Sequence, residues 1–313
     1  MKELQIGKDS SNIIKGISCL LIVAHHFCSR LDGSGYYNIF IHFIGVRGGV
    51  IGLTIFFFLS AWGLSESQKK NRYPFMVFAK RRLSKIFIPL LLTSTIYYFI
   101  LLSCGQISFN LPSFILTVFN LRIYDGVLWF CNTILIFYLF FYFAFLPNSN
   151  WIRIVICLIT TTLYSIIATF LFPKAPFYVY SIVGFPLGMI LSLYKKYALS
   201  SKFCVFWSFF FLFFLFSGVF IFPLYEKLFL MNIISFFVVL FLISTLVIIQ
   251  KISLPNKLTI LPFTGSHSYE IYLLHNKVLV LVAGAGYLVW YPLAFLLIVI
   301  PLAILLQVVT KKI

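Results

Sequence analysis

Long apolar runs separated by short polar gaps make up most of the chain, which is 313 residues long. Runs such as FWSFFFLFFLFSGVFIF (206–222) are apolar at nearly every position, whereas a membrane-spanning β-strand alternates apolar and polar residues over about ten positions. A helix needs about 20 apolar residues to cross the hydrocarbon core, and it satisfies its backbone groups internally. The pattern therefore predicts about ten helical spans, at roughly 11–29, 46–65, 86–104, 126–146, 151–172, 176–194, 202–222, 231–250, 266–284 and 289–310.

The composition supports the same interpretation, because charged residues make up only 10% of the chain and hydrophobic residues 62%. A soluble domain carries about 25% charged residues, so this chain has too few of them to cover a water-exposed surface. We therefore expect an all-α, polytopic membrane bundle. The gaps are short, which predicts a single membrane domain over residues 1–313 with no separate soluble domain. The stretch 30–45, which contains LDGSGYY, is predicted to be an external loop that covers or lines a site.

The basic residues give the spans a direction. The net charge is +17, but the 24 lysines and arginines lie in short clusters rather than on one extended face, so nucleic-acid binding is not expected. With the N-terminus in the cytoplasm, most of them lie in cytoplasmic loops and ends, as the positive-inside rule requires. We predict cytoplasmic termini in a multi-pass protein of the inner (cytoplasmic) membrane. The exceptions are Arg30, Arg47, Arg122, Lys174, Lys227 and Lys277.

Cysteines and histidines do not indicate a metal site. The six cysteines lie mostly inside apolar runs and form no C-x-x-C pair, which is typical of small buried hydrophobic side chains. The five histidines include no H-x-x-x-H pair, and the adjacent His25 and His26 cannot chelate one ion from one helix. We therefore expect no bound metal.

The first span, KGISCLLIVAHHF, carries two ionisable groups on one face. Lys15 and His26 are 11 residues apart, which places them about 20° apart around a helix and about 16 Å apart along it. Ionisable groups inside a membrane are costly and suggest function. His26 and Lys15 are therefore candidate catalytic residues, with Lys15 nearer the cytoplasmic edge, although a histidine can also be a hydrogen-bonded core residue. His25 points about 100° away and is predicted either to be structural or to support the catalytic residue without touching the substrate.

Three other segments place polar groups beside or inside spans. KRRLSKIFIP (80–89) is either an anchor for anionic lipid headgroups or a phosphate site, since adjacent arginine and lysine side chains match phosphate charge and geometry. FFFLSAWGLSES (56–67) has small residues, which favour close helix packing. SHSYEIYLLHN (266–276) puts Glu270 inside a span, where the carboxylate needs a partner or water, and Lys277 lies on the same helix face.

Together these segments resemble the acyltransferase-3 family of integral membrane acyltransferases. That family opens with an arginine or lysine, ten residues and a histidine, a spacing that Lys15 and His26 keep. FFFLSAWGL has Ala61 where the family has glycine, and the family's R-x-x-R is here Arg82-x-x-Lys85. The resemblance runs from about residue 8 to residue 300. The later matching segments are LWFCNTILIFYLFF (128–141), PFYVYSIVGFPLGMIL (176–191) and SYEIYLLHN (268–276).

The resemblance implies transfer of an acyl group, most often acetyl from cytoplasmic acetyl-CoA, to a hydroxyl of an extracytoplasmic or lipid-linked carbohydrate. Arg82 and Lys85, with Arg81, would bind the CoA phosphates, Lys15 would lie near the entrance, and His26 would meet the thioester. Two roles for His26 stay open, a general base for the sugar hydroxyl and a carrier of a transient acyl-imidazole. Candidates for lining the path are Trp129 and Ser60, and candidates for binding the sugar are Asp32 and Glu270.

Two other classes of function remain as alternatives. A transporter or flippase for a carbohydrate or lipid-linked saccharide would also have many spans with buried charges, although the sequence shows no internal symmetry of the kind that transporters carry. The second alternative is a non-catalytic subunit of a polysaccharide export machine. Expected partners are acyl-CoA, a carbohydrate acceptor, membrane lipids and a separate extracytoplasmic transferase if one is used.

Overall fold

Helices are the regular elements in the part of the chain that a computed structural model describes. The described residues are 6–36, 38–121, 126–173, 175, 177–194, 233, 237–239, 241–242 and 260–312. Within these ranges no strand occurs, which confirms the all-α prediction for them. The predicted span 202–222 lies outside the described residues, and so does 231–250 apart from the few residues just given.

The helices are numbered in chain order. They are α1 (Lys8–Gly33), α2 (Ile39–Lys70), α3 (Phe75–Arg82), α4 (Ser84–Ser103), α5 (Leu111–Val118), α6 (Trp129–Ala144), α7 (Asn150–Leu171), α8 (Phe177–Tyr180), α9 (Gly184–Leu193), α10 (Ile260–Ser266), α11 (Ser268–Gly284), α12 (Tyr291–Ala294) and α13 (Ile300–Lys312). A 3₁₀ turn, Leu288–Trp290, precedes α12, and a π-helical turn, Phe295–Val299, joins α12 to α13.

Five segments of the described chain are long and apolar enough to cross a membrane, namely Lys8–Gly33, Ile39–Lys70, Ser84–Ser103, Asn150–Leu171 and Leu288–Lys311. Each of them contains or nearly coincides with a predicted span. The shorter apolar helices Trp129–Ala144 and Phe177–Leu193 lie within the predicted spans 126–146 and 176–194. The chain is therefore a multi-pass membrane protein, while the count of ten spans and the orientation stay predictions.

The prediction of an external loop over residues 30–45 is wrong. Helix α1 continues to Gly33 and α2 begins at Ile39, which leaves only residues 34–38 between them. The chain reverses through Gly35, whose φ of +88° favours glycine. Asn38 then caps α2, because its side chain accepts a hydrogen bond from the Phe40 amide at 2.8 Å. The connection therefore cannot cover a site, and residues on both sides of it are helical.

The described chain forms two compact units, each assembled from distant parts of the sequence. The first unit comprises Met1–Asp32, Tyr36–Arg72 and Leu139–Ser266, and the second comprises Gly33–Gly35, Tyr73–Tyr138 and His267–Ile313. Whether they make up one functional domain, as the sequence predicts, stays a prediction.

Glycines and buried hydroxyls join α2 to α9 in the first unit. A Cβ at Gly184 would collide with the Thr54 carbonyl, and a Cβ at Gly188 would collide with the Phe58 carbonyl, so the two backbones touch only because both positions are glycine. At one end of α9, the Ser192 hydroxyl donates to Glu66 at 2.8 Å. This contact fixes the position of α9 along α2.

Tyrosine hydroxyls join the helices of the second unit. The Tyr269 hydroxyl on α11 donates to the Ile86 carbonyl on α4 at 2.7 Å. One turn later, the Tyr272 hydroxyl donates to the Val127 carbonyl just before α6. Because a hydroxyl and a carbonyl are both costly to bury without a partner, these bonds help to hold α11 in place.

Apolar side chains remain exposed along α7, as expected for a helix that contacts lipid. Phe170 is 83% exposed, and other exposed residues recur along the helix at Trp151, Ile152, Leu158, Ile159, Leu163, Ile166 and Ile167. In water such a patch would be an interaction site or an aggregation hazard. In a bilayer it is an ordinary lipid-facing surface.

Candidate active site

Lys15 and His26 lie on the inward face of one unbroken helix, α1. Between them on this face, Ser18 is 0% and Ile22 is 1% exposed, whereas Ile17 on the opposite face is 48% exposed. The predicted alignment of the lysine and the histidine thus coincides with the buried side of the helix. Both side chains are half-buried. His26 therefore lies next to packed protein rather than on the lipid-facing stripe.

Helix α1 packs closely against α2 through a row of glycines. These are Gly45, Gly48, Gly49 and Gly52. A Cβ at Gly45 would lie 2.9 Å from the Ser29 backbone nitrogen, and one at Gly52 would lie 2.5 Å from Cγ1 of Ile22. Small residues at this spacing let two helix backbones approach each other. The motif GVRGGVIG carries this pattern, and our sequence analysis missed it.

The packing predicted for FFFLSAWGLSES is found at one small residue and not at another. Ala61 is fully buried, and a Cβ at Gly188 of α9 would lie 3.1 Å from the Ala61 Cβ. Gly63, by contrast, is exposed and has nothing within 4 Å of the position of a Cβ. Ser60, the candidate for lining the path, is half-buried on α2.

His25 lies in the contact between α1 and α2. Its Nδ1 is 3.2 Å from the carbonyl oxygen of Ile44 on α2. Its ring meets the ring of His26 with the centroids 4.7 Å apart and the planes at 66°. His25 therefore contacts both α2 and the candidate catalytic residue His26.

Asp32 is paired with a histidine that our sequence analysis did not single out. Its Oδ2 is 2.8 Å from Nδ1 of His42, and the pair joins the end of α1 to the start of α2. The side chains are 25% and 40% exposed, respectively. A signal was present in the sequence, because an acidic residue before a tight turn and a histidine after it can meet when two helices run antiparallel. The polar residues of that region instead predict a long loop.

The basic segment lies at the junction of α3 and α4 in the second unit. Leu83 between the two helices keeps helical angles, φ −71° and ψ −43°, so the chain direction hardly changes. The Arg81 guanidinium lies 4.5 Å from the centroid of the Tyr73 ring, a cation–π contact. Arg82 is half-buried, and Lys85 in the first turn of α4 is exposed. Three cationic groups therefore occur within five residues of nearly continuous helix.

Glu270 finds its partner on another helix of the second unit. Its carboxylate is hydrogen-bonded to the Gln307 side chain on α13. Gln307 in turn accepts a hydrogen bond from Lys311 at 2.8 Å through its Oε1. The carboxylate is thus bridged to a lysine through an amide, and Glu270 joins α11 to α13.

Lys277, which the sequence placed on the same face as Glu270, makes different contacts. Its ammonium group donates to the Leu273 carbonyl one turn back at 2.8 Å, and it lies 5.3 Å from the centroid of the Tyr97 ring on α4. The side chain is 5% exposed. A buried ammonium is costly, and a carbonyl dipole and an aromatic face each reduce that cost.

Trp129 begins α6 and is buried, with 6% of its surface exposed. Its ring meets that of Phe130 with the centroids 6.4 Å apart, and the Thr133 hydroxyl donates to its carbonyl at 3.1 Å. The structure thus places Trp129 within the packed second unit.

The predicted site residues divide between the two units. The first unit holds Lys15, His26, Asp32 and Ser60, and the second holds Arg81, Arg82, Lys85, Trp129 and Glu270. In the described ranges, no three histidine, cysteine, aspartate or glutamate side chains are grouped so that they could hold a metal ion.

Comparison with known proteins gives one match. The family model described as an acyltransferase domain, of the acyltransferase-3 type, matches residues 8–311. No curated protein and no solved structure matches the chain. The matched range begins with α1 and ends within α13, so it contains both units.

Proposed function

The chain belongs to the acyltransferase-3 family, and from that premise we propose that it transfers an acetyl group from cytoplasmic acetyl-CoA to a hydroxyl of an extracytoplasmic or lipid-linked carbohydrate. The membrane helices and the family support a membrane acyltransferase. The choice of acetyl, of a carbohydrate acceptor and of the inner membrane belongs to the proposal.

His26 is the proposed catalytic residue. The observation that carries this assignment is its place on the inward face of α1, where the neighbouring Ser18 and Ile22 are almost completely buried. Lys15, one of the family-type pair, lies on the same helix face about 16 Å away. An ionisable side chain within a spanning helix is a functional candidate by default.

Transfer requires breaking the thioester and deprotonating a hydroxyl. In the direct route, His26 removes the proton of the acceptor hydroxyl, the oxygen bonds to the acetyl carbonyl carbon, and the C–S bond breaks. The CoA thiolate leaves and takes up the proton that His26 holds. In the two-step route, one imidazole nitrogen bonds to the acetyl carbon, the C–S bond breaks, and the N–H proton of the imidazole goes to the leaving CoA thiolate. The acceptor oxygen then bonds to the acetyl carbon, the C–N bond breaks, and the released imidazole takes up the hydroxyl proton.

The basic segment is the proposed contact for the donor. CoA carries several phosphate charges that cannot enter hydrocarbon, whereas the arm that bears the thioester is slim and nearly neutral. Arg82 and Lys85, with Arg81, are assigned to the phosphates because cationic side chains form charge-assisted hydrogen bonds with phosphate oxygens. Trp129 and Ser60 are assigned to the path of the arm, and Asp32 and Glu270 to the acceptor. The contacts that Asp32 makes with His42, and Glu270 with Gln307, favour positioning roles over direct binding.

Consumption of the donor by the purified protein tests the proposal. With acetyl-labelled acetyl-CoA and the protein in proteoliposomes, wild type is expected to release labelled acetate slowly. His26→Ala should lower that rate at least about 100-fold, the scale of general acid–base catalysis. Ile17→Ala, on the exposed face of the same helix, is the matched control for insertion and should keep the wild-type rate.

Two results would contradict the proposal. A wild-type rate in inserted His26→Ala would remove His26 from the chemistry. Uptake or export of a saccharide by wild-type protein that consumes no acetyl-CoA would indicate a transporter instead.

A further inference from the structure

We propose that His25 is a positioning residue. Its own ring is anchored to α2, and its contact with the ring of His26 holds that ring in place. The inference rests on the proposed function of His26. The test is chosen so that the positioning role of His25 can be disproved while the catalytic role of His26 still holds.

The hydrogen bond to α2 fixes the tautomer of His25. The carbonyl oxygen of Ile44 only accepts hydrogen bonds, so Nδ1 of His25, 3.2 Å away, carries the hydrogen. That bond and the Cα–Cβ bond together hold the imidazole at two points, one on each helix. The ring cannot rotate without losing the bond inside an apolar helix contact, where an unmade hydrogen bond is costly.

Two glycines of α2 make room for this ring. A Cβ at Gly49 would lie 2.7 Å from Cδ2 and 2.8 Å from Nε2 of His25, both shorter than a normal contact. A Cβ at Gly48 would lie 3.1 Å from the His25 Cβ. The imidazole therefore packs directly on the α2 backbone, and any other residue at position 49 would displace it.

The anchored ring touches the candidate catalytic ring. Adjacent side chains on a helix point about 100° apart and do not ordinarily face each other. Here the ring centroids of His25 and His26 are 4.7 Å apart. With His25 held on α2, this contact restricts the rotamers open to His26. Catalytic groups act efficiently only when neighbouring contacts hold them close to the reactive geometry.

Substitution at Gly49 tests the inference without changing either histidine. Gly49→Ala should lower kcat for acetyl-CoA hydrolysis about tenfold or more, because the added methyl group displaces the His25 ring. KM for acetyl-CoA should stay within about twofold, since no donor contact is altered.

The chain offers two matched controls for this substitution. Gly45→Ala pushes on the backbone of Cys28 and Ser29 in the same helix contact, and these residues hold the three atoms nearest to the added methyl group. Gly63→Ala adds a methyl group to open space on the same helix. Gly63→Ala should keep the wild-type kcat, and Gly45→Ala should lower it much less than Gly49→Ala. An equal loss in Gly45→Ala and Gly49→Ala would mean that helix packing alone matters, and it would overturn the inference.

Replacement of His25 provides a second test that does not depend on how α2 accepts a methyl group. His25→Asn keeps an N–H close to the position of Nδ1, whereas His25→Gln moves it toward the position of Nε2. The asparagine variant should therefore retain more of the wild-type kcat than the glutamine or leucine variants. An unchanged kcat in inserted His25→Leu would overturn the positioning role, while His26→Ala would still report on the proposed function itself.

Discussion

At the scale of single residues, three charged groups of the described chain are bonded to specific neighbours. Glu270 is bonded to Gln307, Asp32 to His42, and Lys277 to a carbonyl in its own helix. Each contact lowers the cost of placing a polar group in or near hydrocarbon. The first of these contacts also joins α11 to α13, and the second joins α1 to α2.

The pairing of Asp32 with His42 predicts an energetic coupling that can be measured. The two side chains are partly exposed, so their interaction is worth about 0.2–1 kcal/mol. Asp32→Asn and His42→Gln should each lower the free energy of unfolding by about this amount, and the double variant should lower it little further. Thermal unfolding of the purified variants measures the coupling. Additive losses would show that the two residues act separately.

At the scale of helices, the sequence predicted the features that depend only on the residues of a single segment. The alignment of Lys15 with His26 follows from helix geometry alone, and the structure places this face inward. The end of α1 and the start of α2 were missed, because polar residues such as those of LDGSGYY look like a loop while Asn38 and Gly35 in fact close a tight turn. The partner of Glu270 lies 37 residues away at Gln307, and no periodicity within one helix reveals such a contact.

The basic residues at the junction of α3 and α4 lead to a prediction about binding of the donor, acetyl-CoA. Arg82→Gln should raise KM for acetyl-CoA about tenfold or more, since a hydrogen bond to a charged group is worth about 1.5–3 kcal/mol. Lys80→Gln removes the same charge two residues earlier, from an exposed position that we assign no donor contact. It should leave KM within about twofold of wild type. If both variants weaken binding of anionic lipid headgroups and neither changes KM, the segment is a lipid anchor.

At the scale of the whole molecule, the proposed transfer carries an acetyl group from a cytoplasmic donor across the bilayer. The acyltransferase family model covers residues 8–311, and five helices of the described chain are long and apolar enough to cross a membrane. The sequence could predict an all-α, multi-pass membrane protein because long apolar runs are a local feature of the chain. It could not predict that the candidate residues divide between two compact units, since this division depends on contacts between distant segments.

The central claim is that acetyl esters appear on an extracytoplasmic carbohydrate only when His26 is present. Cells that express wild type, Ile17→Ala or His26→Ala at equal membrane levels can be compared by the acetate that mild alkali releases from their surface glycan. Wild type and Ile17→Ala are expected to add alkali-labile acetate above cells that lack the protein, and His26→Ala is expected to add none. Equal release from His26→Ala and wild-type cells would contradict the account.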